Sequence, residues 1–233
     1  MKLENVTLIG ADCVDVDRLL LAADISSQAI EFADIKILSS IPSPDPRVVP
    51  IKPITSTAEY SAFCVTKLAN YVETEFALII QYDGFILNPT AWDDRFLTYD
   101  YIGAPWYVRD WSVRNFQFPT ELLGSYLVGN GGFSLRSKEF LDTCQTLASN
   151  GNLTPFHPED VVLCVHNRHH LEAAGLRFAP VDIGAKFSFE SFDDERCKWD
   201  GQFGFHGLRW TDISKWLDSH PEYRDKIDNT LEK

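Results

Sequence analysis

Positive charge is scarce in this sequence of 233 residues: 21 Lys and Arg residues stand against 34 Asp and Glu residues, giving a formal net charge of −13 at pH 7. Proteins that bind nucleic-acid backbones or anionic membrane surfaces carry dense Lys and Arg. The charge balance therefore argues against both kinds of partner. An anionic small-molecule substrate remains compatible with an acidic chain if a metal ion lies between the two.

Long apolar runs are also missing. Residues 76–80 form one of the longest, far short of the roughly 20 apolar residues that cross a bilayer. The first five residues, Met-Lys-Leu-Glu-Asn, lack the basic stretch and apolar core of a secretion signal. We therefore expect a cytoplasmic protein without a transmembrane segment.

Cysteine is sparse and scattered. Its five positions, odd in number and without a C-x-x-C pair, are Cys13, Cys64, Cys144, Cys164 and Cys197. A disulfide framework or a zinc site needs paired or clustered cysteines. We interpret them as small core residues in a reducing compartment.

Alternating strand and helix patterns predict an α/β fold. Residues 6–10 and 34–38 have the pattern of buried strands, and residues 17–31 between them predict a helix, which together make a βαβ unit. Five prolines exclude a helix over residues 41–53. The capping-box pattern at residues 56–59 predicts the start of another helix. The apolar run 76–80 predicts a central strand that is buried on both faces.

The remaining patterns predict shorter elements. Strands are expected at 101–103, 133–136, 177–180 and 186–190, helices at about 92–97, 137–148 and 158–175, a tight turn at 204–207, and a helical tail from Asp212. The aromatic-rich residues 104–124 predict a functional loop. Composition never shifts sharply, so we predict one domain over residues 1–233, with a core over about 5–208 and a tail over 209–233.

Three polar features follow predicted strands, where ligands gather in open α/β sheets. They are Asp12, Asp83 and the glycine loop, residues 129–132 with the sequence Gly-Asn-Gly-Gly. A buried carboxylate such as Asp83 is costly unless it is paired or metal-bound, yet Asp-Gly is also a common turn dipeptide, so both interpretations stay open. The glycine loop brings backbone N–H groups to a ligand or forms a turn. It matches neither nucleotide-binding glycine fingerprint, and we expect no organic cofactor.

Acids and histidines supply further candidates. Glu159 and Asp160 open a predicted helix, where they either complement its dipole or supply a general base. His166 and His170 have the spacing of a metal pair, but no glutamate lies between them and no third ligand is near, which favours an exposed helix face. His206 lies in a glycine turn and is either a ligand or a hydrogen-bonded loop residue.

The order of these features resembles the glycosyltransferases of the GT-A fold. In that superfamily a DxD-type motif after a central strand binds a divalent metal, a glycine-rich loop lies beside donor and acceptor, an xED motif supplies the base, and a C-terminal histidine completes the metal site. Here Gln81-Tyr82-Asp83 stands at the DxD position, Pro158-Glu159-Asp160 at xED, and His206 at the histidine. The resemblance implies a GT-A-like (Rossmann-like) single domain with a central mixed, mostly parallel sheet flanked by helices.

The amino-acid sequences of four segments are similar to those of a bacterial family associated with surface-polysaccharide genes. These segments are residues 81–89, 101–106, 129–136 and 203–207, and the resemblance covers about residues 5–208. One departure is that Gln81 replaces the first acid of DxD, which leaves Asp83 as the charged ligand there.

The resemblance implies an inverting transfer from a nucleotide-diphosphate sugar to a hydroxyl of a glycan or glycolipid. Mn²⁺ or Mg²⁺ would bridge the donor diphosphate to Asp83 and His206, and Asp160, beside Glu159, would be the base. The implied donor side includes Asp12, Gln81, Tyr82 and Asp83, and the implied acceptor and donor-sugar side includes Asn130, Gly131, Gly132 and Trp106.

Two other functions remain open. Gln81 motivates a catalytically decayed protein that still binds a nucleotide sugar. A metal-dependent phosphohydrolase or nucleotidyltransferase would need further carboxylates beside Asp83. Asp93, Asp94 and Asp100 are nearby in sequence, but they have the pattern of helix-surface and turn residues. Likewise Trp106, Tyr107 and Trp111 either stack on a sugar ring or pack beneath the loop.

Overall fold

The computed structural model describes residues 1–153, 156–190 and 200–231, and Cys197 lies outside the described residues. The strands of the described part are β1 (Lys2–Ala11), β2 (Glu31–Ser39), β3 (Val48–Pro50), β4 (Phe76–Ile79), β5 (Tyr101–Gly103), β6 (Pro105–Tyr107), β7 (Tyr126–Val128), β8 (Ser134–Ser137), β9 (Ser188–Phe189) and β10 (Gly204–Phe205). The helices are α1 (Val16–Ser27), α2 (Thr57–Thr66), α3 (Asp110–Phe116), α4 (Lys138–Ser149), α5 (Glu159–Val161), α6 (Arg168–Ala173), α7 (Val181–Phe187), α8 (Ser214–Ser219) and α9 (Arg224–Leu231).

A central mixed sheet organises the fold. Within the described residues its strand order is β3-β2-β1-β4-β8-β5. Strands β3, β2, β1 and β4 are parallel, and β8 runs antiparallel to both β4 and β5. The predicted α/β class and mostly parallel sheet are therefore confirmed. Parallel strands end at one edge of the sheet, so β1 and β4 deliver Asp12 and Asp83 to the same edge.

Side-chain caps start the helices where the sequence predicts them. The Ser56 hydroxyl accepts a hydrogen bond from the Glu59 N–H at the start of α2, and the Ser137 hydroxyl accepts one from the Phe140 N–H at the start of α4. Such caps satisfy N–H groups that have no partner inside the helix. Strand β4 is buried on both faces, as its apolar run predicts, with Ala77 and Leu78 fully buried.

The predicted helix over 158–175 is wrong as a continuous element. It begins as α5, passes into a π-helical turn over Val162–His166, and resumes as α6. In the π turn the Asn167 N–H donates to the Val162 carbonyl, five residues back. One added residue per turn is a local insertion that apolar spacing does not reveal.

Three shorter predictions also need correction. Residues 104–124, predicted as a functional loop, contain the regular elements β6 and α3, and β6 pairs with β7. Residues 186–190 are the end of α7 followed by the two-residue strand β9. The predicted turn at 204–207 contains β10, which pairs with β9. Two- and three-residue strands are too short for their alternation to be read from sequence.

The C-terminal tail packs on the main core. Trp216, Tyr223 and Ile227 are buried, and the Trp216 indole N–H donates to the Leu87 carbonyl at 3.0 Å. In the described part of the chain, no helix has both the length and the apolar character needed to cross a membrane.

Candidate functional site

The Asp83 carboxylate is buried at the end of β4. Its side chain belongs to a tight turn in which Gln81 and Gly84 exchange backbone hydrogen bonds of 3.2 and 3.1 Å, so the Asp-Gly turn is present. Asp83 is only 6% exposed, and its Oδ1 atom has no hydrogen-bond partner among the described residues. An unpartnered buried carboxylate oxygen costs more than the roughly 1–3 kcal/mol of a neutral group, which points to a ligand. The turn and the ligand interpretations are thus compatible.

The imidazole of His206 lies beside this oxygen. Its Nε2 atom is 3.6 Å from Asp83 Oδ1 and 3.1 Å from Gln81 Oε1. Asp83 and His206, 123 positions apart in sequence, meet because the backbone around His206 bonds to the segment after β4: the Phe205 N–H donates to the Phe85 carbonyl and the Gly207 N–H to the Asp83 carbonyl. We call Gln81, Asp83 and His206 the cation centre.

Glycines allow this close packing. A Cβ atom at Gly132 would lie 2.1 Å from His206 Nε2, and one at Gly84 would lie 3.0 Å from His206 Cδ2. The glycine loop therefore presses its backbone against the imidazole, a contact that any larger residue at Gly132 would exclude.

The other nitrogen of His206 has two neighbours. Nδ1 lies 3.2 Å from Glu190 Oε1 and 3.0 Å from Asn130 Nδ2. Burial alone would lower the pKa of His206, but the hydrogen bond to Glu190 and the charges of Asp83, Glu190 and Asp160 raise it overall. This imidazole is therefore surrounded by acids on both edges.

Glu159 supports the glycine loop from the protein interior. Its carboxylate pairs with Arg136 at 2.7 Å, and both side chains are buried. A Cβ atom at Gly131 would lie 2.2 Å from Glu159 Oε1, so the loop rests directly on this carboxylate. The predicted pairing of Glu159 with Asp160 as catalytic residues stays a prediction, and the geometry places Glu159 against Arg136.

Asp160, the next residue, lines a cavity. Its Oδ2 accepts a hydrogen bond from the Gly131 N–H at 3.1 Å, and its Oδ1 accepts one from the Val161 N–H at 2.8 Å. Burial and the neighbouring charges of Glu159 and Glu190 raise the pKa of Asp160 to about 7. A carboxylate with such a pKa is suited to accept a proton near neutral pH.

Two cavities share residues with this region: Gln81 lines one of them, and Asp160 and Glu190 line the other. The aromatic cavity, about 640 Å³, is lined by Pro105, Trp106, Tyr107, Arg109, Trp111, Ser112, Phe116, Phe118, Pro158, Asp160, Val161, Glu190 and Trp210. The strand-end cavity, about 390 Å³, is lined by Ala11, Asp12, Val14, Arg18, Ile54, Thr55, Ser56, Thr57, Tyr60, Gln81 and Tyr82. Both volumes fall in the range of small-molecule sites.

In the strand-end cavity Asp12 is tied to Arg18. The Arg18 Nε–H donates to Asp12 Oδ2 at 2.6 Å, and Asp12 Oδ1 accepts from the backbone N–H groups of Val14 and Asp15. The Arg18 guanidinium lies 3.8 Å from the centre of the Tyr82 ring. Asp12 thus orients a cation–π stack that forms part of the cavity wall.

The donor atoms of the cation centre fit a divalent metal ion. Asp83 Oδ1 lacks a partner, Gln81 Oε1 supplies a neutral oxygen, and His206 Nε2 supplies a nitrogen. Oxygen-rich sets of this kind suit Mg²⁺ and Mn²⁺. Among the described residues no three His, Cys, Asp or Glu side chains form a metal-binding group, because the third donor here is the Gln81 amide. His166 and His170 form no such group either; His166 Nε2 instead lies 3.0 Å from the Phe116 carbonyl.

Sequence reasoning missed three residues of this site. They are Glu190 beside His206, Arg18 beside Asp12, and Arg136 beside Glu159. No local motif marks them, because each is defined only by its partner across the fold. Asp83 is predicted from its position after a strand, Asp160 from its position at a helix start, and His206 from its glycine turn.

Replacing Gly132 tests the packing of the glycine loop on His206. We expect Gly132→Ala to displace the imidazole, lower Mn²⁺ affinity measured by calorimetry, and cost about 1–3 kcal/mol of unfolding free energy from overpacking. Gly151→Ala is the control: Gly151 has φ +75° but open space around its Cβ position, so it should cost stability without changing Mn²⁺ affinity. Equal Mn²⁺ affinity in the wild type and Gly132→Ala would contradict the assignment.

Comparison with known proteins identifies the fold. The family model described as Protein of unknown function (DUF5672) matches residues 45–206, and no curated protein matches the sequence significantly. The structure of an active-site mutant of LgtC, a GT-A glycosyltransferase, is similar at 12% identity over 93% of this chain and 95% of that chain, with a TM-score of 0.52. This likeness shows the GT-A fold.

Two further solved structures are more distant. A glycosyltransferase involved in the glycosylation of the major capsid of PBCV-1 is similar at 14% identity over 93% of this chain and 98% of that chain, with a TM-score of 0.48. The mannosyltransferase PcManGT from Pyrobaculum calidifontis, in complex with GDP-Man and Mn²⁺, is 14% identical over 77% of this chain and 55% of that chain, with a TM-score of 0.41.

Proposed function

The chain belongs to the family described as Protein of unknown function (DUF5672), and on this premise we propose from its fold and site that it is an inverting glycosyltransferase. The donor is a nucleotide-diphosphate sugar, and the acceptor is a hydroxyl of a glycan or glycolipid. The observation that carries the proposal is the contact of Asp83 with His206 at 3.6 Å in a GT-A fold. Asp160, in the wall of the aromatic cavity, supports it.

The strand-end cavity suits the nucleotide. Its wall includes the Arg18–Tyr82 stack, which offers a cationic and aromatic surface in an otherwise acidic protein. Asp12 acts through Arg18, because the Asp12 carboxylate is already bonded to that guanidinium and to two backbone N–H groups. Gln81 and Tyr82 connect this cavity to Asp83, where the diphosphate would lie.

The cation centre would hold the metal through Asp83, His206 and the Gln81 amide oxygen. When bound, a divalent ion supplies Lewis-acid stabilisation of the charge that develops on the leaving diphosphate. The chain's own contribution is to keep Asp83 Oδ1 and His206 Nε2 facing one point, which Gly84 and Gly132 permit by their close backbone contacts.

Asp160 is the proposed base. It lines the aromatic cavity, so an acceptor hydroxyl that enters there reaches its carboxylate, while the donor occupies the other side of the cation centre. As Asp160 takes its proton, the hydroxyl oxygen attacks the anomeric carbon of the donor sugar from the face opposite the diphosphate. The bond from that carbon to the diphosphate breaks, the diphosphate leaves, and the configuration inverts. Trp106, Tyr107 and Trp111 offer ring faces on which an acceptor sugar would pack.

The other candidate functions have weaker support. In the described structure Asp93 binds Arg95, Asp94 accepts from the Trp92 indole, and Asp100 accepts from Ser137. These carboxylates therefore bond to residues other than Asp83, which disfavours a phosphohydrolase or nucleotidyltransferase. Gln81 alone does not indicate a decayed site, because its amide oxygen still faces His206.

The sequence resemblance to a bacterial family associated with surface-polysaccharide genes extends the proposal. It suggests a cytoplasmic step in the synthesis of a surface glycan. The aromatic wall of the acceptor cavity is compatible with such an acceptor.

A ligand screen tests the proposed function. Nucleoside diphosphates are added to the protein with and without Mn²⁺, and the melting temperature is measured. Ligand at 100 times its Kd stabilises the folded state by about 2.7 kcal/mol, which corresponds to a rise of about 5–10 °C for a chain of this size. We expect one nucleotide to give such a rise with Mn²⁺ and a smaller rise without it, and its sugar derivative to be consumed when an acceptor mixture is supplied. No shift with any nucleoside diphosphate would contradict the proposal.

A further inference from the structure

One carboxylate connects the cation centre to the wall of the aromatic cavity. Glu190 Oε1 lies 3.2 Å from His206 Nδ1, and Glu190 Oε2 accepts a hydrogen bond from the Trp106 indole N–H at 2.6 Å. The Glu190 side chain is 19% exposed, so water screens these contacts little. Both oxygens are thus used, one on each side of the site.

Trp106 is held firmly at this point. A Cβ atom at Gly129 would lie 2.2 Å from its ring, so the glycine loop packs flat against the indole. On its other side the ring centre lies 5.9 Å from that of Phe118, within the aromatic cavity. A shift of Glu190 would therefore displace the Trp106 indole, which lines the same cavity as Asp160.

The two neighbours of His206 Nδ1 serve different forms of the imidazole. The Asn130 amide nitrogen is a donor, so it suits an Nδ1 atom that carries no proton. Glu190 is an acceptor, so it suits an Nδ1–H group. An imidazole that binds a metal ion through Nε2 carries its proton on Nδ1 and needs an acceptor there. Of the two neighbours, Glu190 meets that need.

We infer that Glu190 is a positioning residue: it holds the His206 imidazole with Nε2 directed at Asp83, and it links occupancy of the cation centre to the position of Trp106. The inference rests on the cation site of the proposed function. It goes beyond that function by naming the residue that orients the histidine and by joining the donor and acceptor sides of the site.

Mn²⁺ binding, measured by electron paramagnetic resonance with no substrate present, tests whether Glu190 positions His206. Glu190→Gln keeps the size of the side chain and removes its charge, and we expect a 10–100-fold loss of Mn²⁺ affinity. Trp106→Phe keeps the Glu190–His206 contact and should bind Mn²⁺ within about threefold of the wild type. Glu172→Gln, which removes the charge of an exposed glutamate bonded to Arg168, is the matched control and should leave the affinity unchanged.

Fluorine NMR tests whether occupancy of the cation centre changes the position of Trp106. The chain has 6 Trp residues, and labelling with 5-fluorotryptophan gives each a resonance, of which Trp106→Phe identifies one. We expect Mg²⁺, which is diamagnetic, to shift the Trp106 resonance in the wild type and in Glu172→Gln but not in Glu190→Gln. An unchanged Trp106 resonance at saturating Mg²⁺ in the wild type would overturn the link.

The outcomes separate this inference from the proposed function. Mn²⁺ affinity that is equal in the wild type and Glu190→Gln overturns the inference and leaves the transferase proposal standing. A wild-type protein that binds no Mn²⁺ overturns both the inference and the cation centre. Glu190-dependent Mn²⁺ binding in a protein that transfers no sugar supports the inference and contradicts the proposed activity. If Glu190→Gln does not fold, the Mg²⁺ response of Trp106 in the wild-type protein still decides the link.

Discussion

Asp160→Asn is expected to lower the rate of sugar transfer by about 10²–10⁴-fold, because general-base catalysis contributes about that factor. The asparagine has nearly the same shape and can still accept one of the two backbone hydrogen bonds from Gly131 and Val161. Donor binding, measured by calorimetry, should therefore change little. The loss should appear in kcat rather than in the Kd of the donor.

The pH dependence of sugar transfer is a second test of Asp160 as the base. Because burial and neighbouring acids raise the pKa of Asp160 to about 7, the carboxylate is mostly protonated below that pH and cannot accept a proton. We expect kcat/KM for the acceptor to rise with pH through about 7 and then level off. Asp160→Asn should lack this rise.

A matched aspartate controls for charge removal. Asp142 lies on α4, is half exposed, and pairs with Lys138 away from both cavities. Asp142→Asn should transfer at the wild-type rate with the wild-type pH profile. Turnover by Asp160→Asn within a few-fold of the wild type would remove Asp160 from the role of base.

Asp83→Ala is expected to abolish the metal-dependent part of donor binding. Replacing residues that only contact a metal ligand costs 10–100-fold in metal affinity, so removal of the charged ligand itself should cost about 100-fold or more. The physical reason is that Asp83 carries the charged oxygen of the centre, while Gln81 contributes a neutral one. Calorimetry with a nucleoside diphosphate, with and without Mn²⁺, measures the effect.

Asp94→Ala is the control for this prediction. Asp94 is exposed, accepts a hydrogen bond from the Trp92 indole, and is one of the acids that a phosphohydrolase would need beside Asp83. Its replacement should leave metal-dependent donor binding unchanged. Equal donor affinity with Mn²⁺ in the wild type and Asp83→Ala would refute the assignment of Asp83, and a loss in Asp94→Ala would favour the phosphohydrolase.

The parts of the site that lie at the ends of regular elements could be predicted from the sequence. Asp83 follows a short apolar run that predicts a buried strand, and Asp160 follows Pro158 at a predicted helix start. Glu190 and Arg18 could not be found in this way. Their importance comes from contacts with His206 and Asp12, which depend on the packing of distant segments and leave no periodic pattern.

The fold shows the same division. The type of an element was predictable where the sequence carries a continuous apolar run, as in β4, or a side-chain cap, as at Ser137. Continuity was not, as the π-helical turn Val162–His166 demonstrates, since one inserted residue leaves the apolar spacing on each side intact. The strands β6, β9 and β10 exist because partners lie beside them, and their two or three residues carry no signal of their own.

The central claim is that Asp83 and His206 hold one cation against the donor diphosphate. It is tested most directly by a crystal of the protein grown with Mn²⁺ and the nucleoside diphosphate that the screen selects, with diffraction recorded at the manganese absorption edge. We predict one anomalous peak in contact with Asp83 Oδ1, His206 Nε2 and the diphosphate. A peak held by other residues, or bound diphosphate without a peak at Asp83 and His206, would contradict the account.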